Sequence, residues 1–226
     1  MIEKIINILY PSRCPFCGNL SSHEFYPFCR VCWQGIRPFS GNRCSVCSIP
    51  LPESSVICGE CIKDRPFFKT SITYGLYEGL LKRAIHLLKY CGLRGLAKPL
   101  SGLLAEMPVP EAQIIIPVPP DIKRLKARGF NHSSLIAREL SKRLSIALEL
   151  DGLIKVKSTA QQVNLKREER LRNMRGAFRA LRDFRGKRIL LVDDVITTGA
   201  TASECARALL RAGAEEVYLV AVARSV

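Results

Sequence analysis

Arg188-Ile189-Leu190-Leu191-Val192-Asp193-Asp194-Val195-Ile196-Thr197-Thr198-Gly199-Ala200-Thr201 is the stretch on which the fold turns. Ile189 to Val192 is a short, wholly aliphatic run, the pattern of a strand covered on both faces. Two adjacent carboxylates, Asp193 and Asp194, stand at the carboxyl end of that strand, where open α/β sheets bind ligands. Gly199 lets the backbone turn and approach a ligand closely. The amides and hydroxyls of Thr197, Thr198, Ala200 and Thr201 then gather where a helix opens, a place suited to an anion. Carboxylates repel phosphate, but they accept hydrogen bonds from sugar hydroxyls and can hold Mg²⁺. Sugar-hydroxyl acceptors beside a phosphate cradle describe a site for a phosphorylated sugar. A plain strand-turn-helix with an ordinary N-cap is the competing reading, but a cap needs only one such residue.

This stretch resembles the phosphoribosyl-diphosphate (PRPP) motif of type I phosphoribosyltransferases. The resemblance implies that Asp193 and Asp194 are the catalytic-site acids that contact the ribose hydroxyls. It implies that Thr197, Thr198, Gly199, Ala200 and Thr201 wrap the 5-phosphate, and that Mg²⁺ accompanies PRPP.

Outward from this stretch, strands and helices alternate. Phe67 to Tyr77 reads as a strand. From about Glu78 to Tyr90, Leu81, Ala84, Ile85 and Leu88 recur at helical spacing, with Lys82, Arg83 and Lys89 off that stripe. Helices are expected over about 96–104, 130–144 and 201–212, the last closed by Gly213, and strands over 114–118 and 217–222. This alternation predicts an α/β fold with a doubly wound parallel sheet.

Ahead of it lies a different composition. Eight of the ten cysteines form four CxxC pairs, Cys14/Cys17, Cys29/Cys32, Cys44/Cys47 and Cys58/Cys61. Two thiolates on a tight turn hold one edge of a tetrahedral metal, and a second pair completes it, so four pairs make two structural Zn²⁺ sites. Sequential pairing is simplest, and spacing leaves interleaved pairing open. Disulfides are disfavoured in a chain without an export signal. Each Cys₄–Zn²⁺ centre carries formal charge −2, so the module is not itself a strong basic patch. It therefore suits a structural or docking role. The expected organisation is a small N-terminal double zinc ribbon over residues 1–66 and a phosphoribosyltransferase-like domain over 67–226. Cys205 reads as a small core residue.

The chain has 226 residues and formal net charge +15. Residues 155–188 hold twelve Lys/Arg against three Asp/Glu, a local +9. So one-sided a segment suits a polyanion, nucleic acid or diphosphate, although a solvated loop would also carry it. Met1 to Tyr10 is apolar but short and lacks a signal-peptide layout; it reads as an amphipathic helix. No apolar run approaches the roughly 20 residues of a transmembrane helix, so membrane insertion is not expected and the default location is the cytoplasm.

Two more loops complete the expected site. Ile114 to Val118 ends at Pro119, with Lys123, Arg124, Lys126 and Arg128 following, a place for diphosphate gripped by Arg. Residues 155–180 read as a basic cover able to close over a phosphosugar. His23, His86 and His132 read as surface or capping residues.

The whole pattern resembles the ComF family of competence proteins. The matching features are the four CxxC pairs, Tyr77-Glu78-Gly79, Pro117-Val118-Pro119, Arg128-Gly129-Phe130-Asn131, Thr159 with Gln162, Arg170 with Asn173, Gly176-Ala177-Phe178 and the Asp193-to-Thr201 loop. That resemblance implies a role in DNA uptake during natural transformation, or in using external DNA. The partners it implies are single-stranded DNA and a helicase-like translocation ATPase. Three functions follow. One is a transferase acting on PRPP with an unassigned acceptor. The second is a non-catalytic single-stranded-DNA binder, using Arg170, Arg172 and Arg175 with limited stacking from Phe130, Phe178 and Phe184. The third is a zinc-ribbon scaffold that docks the ATPase. In the hypoxanthine-guanine transferases an acidic residue takes the place of Thr197, so purine salvage of that kind is not implied.

Overall fold

The computed structural model describes residues 12–121, 125, 129–157 and 174–226. The expected helix over Met1 to Tyr10, the cations Lys123, Arg124, Lys126 and Arg128, and Thr159, Gln162, Arg170 and Arg172 lie outside the described residues.

The sequence begins with two copies of one small device. In each, a CxxC turn is followed by a short helix whose N-cap is a cysteine: Cys29 before α1 (Arg30–Gln34) and Cys58 before α2 (Gly59–Lys63). The amides of Cys32 and Cys61 donate to those cap sulfurs, each at 3.4 Å. Each cap sulfur thus accepts an amide hydrogen bond from the helix it starts. The turns repeat as well: Cys14 N–H donates to Asn19 and Cys44 N–H to Ile49. Gly18 has φ +76°, and Ser48, its counterpart, has φ +58°. The Ser48 hydroxyl donates to the Ser71 carbonyl at 2.5 Å, which ties this turn to the sheet.

The sheet is built from β1 (Ser71–Leu76), β2 (Ile114–Pro117), β3 (Ala147–Leu148), β6 (Arg188–Ile196) and β7 (Glu216–Arg224). Its order is β1-β7-β6-β2-β3 and every pairing is parallel. A separate two-stranded antiparallel ribbon joins β4 (Leu153–Lys155) to β5 (Phe178–Ala180). The helices are α3 (Gly79–Tyr90), α4 (Ala97–Ala105), α5 (His132–Leu144) and α6 (Ala200–Arg211). The doubly wound α/β expectation holds. β6 differs in length: it continues through both carboxylates to Ile196 rather than stopping at Val192. Its register with β7 runs unbroken from Arg188↔Glu216 to Ile196↔Arg224.

Alternate residues of β6 face two different cores. Leu190 and Val192 pack with α3, α4 and α5, whereas Ile189 and Leu191 pack with α6. The cysteine clusters divide in the same way. Cys14, Cys29 and Cys32, with Phe28 and Trp33, join the first core, and Cys44, Cys47, Cys58 and Cys61 join the second. Sulfur atoms of Cys14, Cys17, Cys29 and Cys32 lie within 4.8 Å of one another, as do those of Cys44, Cys47, Cys58 and Cys61. These are two Cys₄ zinc-binding sites with sequential pairing, all thiol ligands of the right softness and number. Ribbon and sheet are also stitched at β1, whose outer edge would otherwise be bare. Ser71 N–H donates to Val46 and Phe39 N–H to Tyr74, and the Arg43 guanidinium donates to the Thr73 carbonyl at 2.5 Å. Among the described residues no helix is long and apolar enough to cross a membrane.

Structural zinc contributes on the order of 10 kcal/mol to folding, comparable to a whole domain's net stability. Cys47→Ser is therefore expected to halve the zinc content. It should also open the neighbourhood of β1 to proteolysis, because that cluster shares a core with α6. Zinc quantitation and limited proteolysis read both effects; full zinc retention would contradict Cys47 as a ligand.

Candidate functional site

Chain order places the site. From β2 the sheet grows toward β3, and from β6 it grows the other way toward β7, so the order reverses between β2 and β6. The crevice beyond the carboxyl ends of two such strands is where ligands bind in open α/β sheets. Pro117 pairs with Val192, which puts Val118 and Pro119 beside Asp193 and Asp194. Asn131 fixes the third wall. Its side chain caps α5 by accepting from Ser133 N–H at 3.2 Å and donates to the Val118 carbonyl at 3.0 Å.

The two carboxylates meet different surroundings. Asp194 is only 8% exposed. One of its oxygens lies 2.6 Å from Lys89 Nζ, and the other lies 3.8 Å from His132 Nδ1. Burial alone would depress the Lys89 ammonium, but the charge and hydrogen bond of Asp194 outweigh it and hold its pKa above the ordinary lysine value. Asp193 feels the same Lys89 charge from further away and forms no ion pair among the described residues. Its Oδ1 accepts from Ser133 Oγ at 3.0 Å and from the Asp194 amide at 2.9 Å. Burial, and then the neighbouring Asp194 charge, push the Asp193 carboxyl up to about 7. Two carboxyl groups in unlike surroundings thus stand side by side, each with oxygens able to accept hydrogen bonds.

The loop after β6 is held from beneath. Gly199 is the N-cap of α6 with φ +77°, and an added Cβ would meet Phe68 only at 3.8 Å, so backbone conformation rather than space requires glycine there. Arg224, buried at the end of β7, donates to the Ile196 carbonyl at 3.0 Å, to the Thr197 carbonyl and to the Ser225 carbonyl at 2.8 Å. The carbonyls of Ile196 and Thr197 are thus turned onto this guanidinium. Thr197 is exposed, and Thr198 and Thr201 are half-buried. Thr198 Oγ1 accepts from the Ala200 amide at 3.3 Å.

The ends of the basic segment are anchored nearby. Lys155 on β4 pairs with Asp121 at 2.9 Å, both side chains largely buried. Glu204 on α6 accepts from the Gly176 amide at 3.0 Å and pairs with Arg207 at 2.5 Å. Lys157 Nζ donates to the Arg175 carbonyl at 3.3 Å, so the two ends stand side by side.

Several sequence readings change here. His132 is not a surface residue: it is 6% exposed and faces Asp194. Lys89 lies off the apolar stripe of α3 as expected, yet it turns inward to the carboxylate rather than to solvent. Phe178 and Phe184 are buried at 7% and 2% exposure, which removes them as stacking surfaces. Cys205 is fully buried, as a core residue should be. Arg224 was legible only as a cation ending the apolar run Val217 to Ala223.

Comparison with known proteins agrees with this architecture. A double zinc ribbon domain model matches residues 5–62, and a phosphoribosyl transferase domain model matches residues 131–225. Competence protein F of Haemophilus influenzae is 32% identical over 228 residues, covering 94% of this chain and 97% of that protein. The chain belongs to the ComF family of competence proteins. DNA utilization protein YhgH of Escherichia coli K12 is 31% identical over 225 residues, covering 95% of this chain and 98% of that one. Competence protein ComFC of Bacillus subtilis is 25% identical over 195 residues, covering 82% and 78%. Among solved structures, the ComF-family chain is similar to the glutamine PRPP amidotransferase of B. subtilis complexed with ADP and GMP. That match has 28% identity and TM-score 0.39, over 55% of this chain and 25% of the other.

Asp193 supplies a signed pH test. Its carboxyl is near 3.8 when unfolded and about 7 when folded, so the native state binds the extra proton between those values. Stability from this group is full below about pH 4 and is lost as pH rises through about 7. Asp193→Asn keeps the oxygen acceptor. It should flatten that decline and stabilise the ligand-free protein above pH 7. Melting temperature against pH reads it, and parallel curves for both proteins would contradict the assignment.

Proposed function

We propose that this chain binds PRPP at the carboxyl end of β6 and serves the uptake or use of external DNA. The observation that carries the reading is the adjacency of two unlike carboxylates and a braced helix-start loop at the point where strand order reverses. In this reading Asp193 and Asp194 take the ribose hydroxyls, and Thr197, Thr198, Gly199, Ala200 and Thr201 take the 5-phosphate. Pro119, Arg124 and Arg128 form the diphosphate loop. The zinc module of residues 1–66 precedes a cytoplasmic transferase-like unit of residues 67–226.

As a transferase, the protein would hold the ribose while the bond from C1 to the diphosphate oxygen breaks and a bond from C1 to an acceptor forms. Asp194, paired with Lys89, would sit where positive charge develops on the ribose ring. Arg124 and Arg128 would stabilise the departing diphosphate. Mg²⁺ travelling with PRPP would add neutralisation of the same leaving charge. The acceptor is unassigned. The role in DNA use draws support from relatives named for competence and DNA utilization.

Calorimetric titration of the zinc-loaded protein with PRPP and Mg²⁺ tests the site. Saturable binding is expected, and Asp193→Ala/Asp194→Ala should abolish it. Binding that survives the double substitution would remove both residues from the site.

A second reading is favoured by the +9 charge of residues 155–188. Here the chain is a non-catalytic single-stranded-DNA binder, with Arg175 exposed at the base of that segment. Neutralising Arg170, Arg172 and Arg175 should then weaken DNA binding and lower its salt slope by about 0.7 for each lost phosphate contact. Filter binding over a salt series measures this, and an unchanged slope would place the DNA elsewhere. The zinc ribbon would then be free to dock a helicase-like translocation ATPase.

A further inference from the structure

The basic segment 155–188 offers charge without rings, because its two phenylalanines are buried. A different surface offers both. From Gly79 to Ala105 the sequence contains no Asp or Glu, while it contains Lys82, Arg83, Lys89, Arg94 and Lys98. α3 buries Leu81, Ala84, Ile85, Leu87 and Leu88, so its polar residues are sorted by the helical repeat. Lys89 turns in to Asp194. Lys82, Arg83, His86 and Tyr90 turn out. Positions 82, 86 and 90 are successive i, i+4 neighbours and therefore lie in one row along the helix.

Rings and cations alternate along this row. Lys82 Nζ stands 5.7 Å from the Tyr77 ring centre. The His86 and Tyr90 rings are 4.7 Å apart, and Tyr90 is 59% exposed. Past the end of α3, exposed Arg94 lies over the Phe130 ring at 4.5 Å. Phe130 meets His132 edge-on at 5.0 Å, and His132 faces Asp194 at 3.8 Å. Contacts therefore run from a solvent-facing guanidinium to the carboxylates of the crevice. The acid nearest in sequence, Glu78, caps the start of α3. It lies roughly 18 Å from Tyr90 along the axis at about 1.5 Å per residue.

We propose that the outer face of α3, continued by the Arg94–Phe130 pair, is a track for single-stranded nucleic acid that leads to the β6 crevice. The track rests on the nucleic-acid reading above and gives that reading its stacking surface. Two exposed rings, His86 and Tyr90, flanked by the exposed cations Lys82 and Arg94, match a chain with a phosphate and an unpaired base in every unit, since phosphates meet the cations and bases lie on the rings. A duplex keeps its bases stacked on each other and would leave Tyr90 unused. An acidic peptide would use the cations and leave the rings unused.

Fluorescence anisotropy of labelled oligothymidine with the full-length, zinc-loaded protein tests the track over a salt series. Tyr90→Ala should weaken binding about 5- to 100-fold with the salt slope unchanged, as loss of one stacked base predicts. Tyr90→Phe should bind as the parent does. Lys82→Gln/Arg83→Gln should lower the slope by about 1.4, two contacts at about 0.7 each. Parent-like affinity of Tyr90→Ala, with loss only on neutralising Arg170, Arg172 and Arg175, would overturn the track and leave the nucleic-acid reading standing. No binding by the parent protein would overturn both. Equal affinity for oligothymidine, duplex and polyglutamate would overturn the track in favour of a plain polyanion surface.

Discussion

The polar groups of the crevice are arranged around one constraint: β6 has a strand on each side and a core on each face. Nothing ionisable is placed on its central run, Ile189 to Val192. Past Val192, which pairs with Pro117 at the end of β2, Asp193 and Asp194 emerge only partly from cover, Asp194 at 8% exposure. Leaving a carboxylate there without a partner would cost several kcal/mol. The fold answers from three directions. α3 sends Lys89, α5 sends Ser133 and His132, and β7 sends Arg224 under the following loop. The chemistry of the crevice is thus a by-product of how the strand is buried. A sheet with one open face would have let the same acids ionise freely and would have given them no fixed neighbours.

The two acids are supported differently although both meet the start of α5, Asp193 through Ser133 and Asp194 through His132. Asp194 reaches Lys89, while Asp193 is held by a hydroxyl and a backbone amide. One acid has a cation against it, and the other has its carboxyl pushed up by burial and by its neighbour's charge.

The sheet, its helices and the cysteine clusters were legible in the sequence because each rests on local chemistry. Ile189 to Val192, the 81/84/85/88 stripe and the CxxC spacing are patterns within one element. Lys89, His132 and Arg224 were not legible. Periodicity says that Lys89 leaves the apolar stripe, but not that a carboxylate over a hundred residues later waits at its tip. His132 follows a helix cap and carries no motif of its own. Arg224 looks like the polar end of a strand until the carbonyls of Ile196 and Thr197 are seen against it. The strand β6 was read as ending at Val192 because charge ordinarily marks a strand's end; ladder pairing with β7 carried it four residues further.

The zinc ribbon is packed into the molecule and is not an appendage. Here its first cluster belongs to the core on one side of the sheet and its second to the core on the other, and its backbone is stitched to the edge of β1. An object fastened on both sides of a plate cannot swing. A molecule that grips the ribbon would be held at a set distance and heading from the β6 crevice. The module then acts as a mounting flange, fixing the alignment between whatever it holds and whatever enters the crevice.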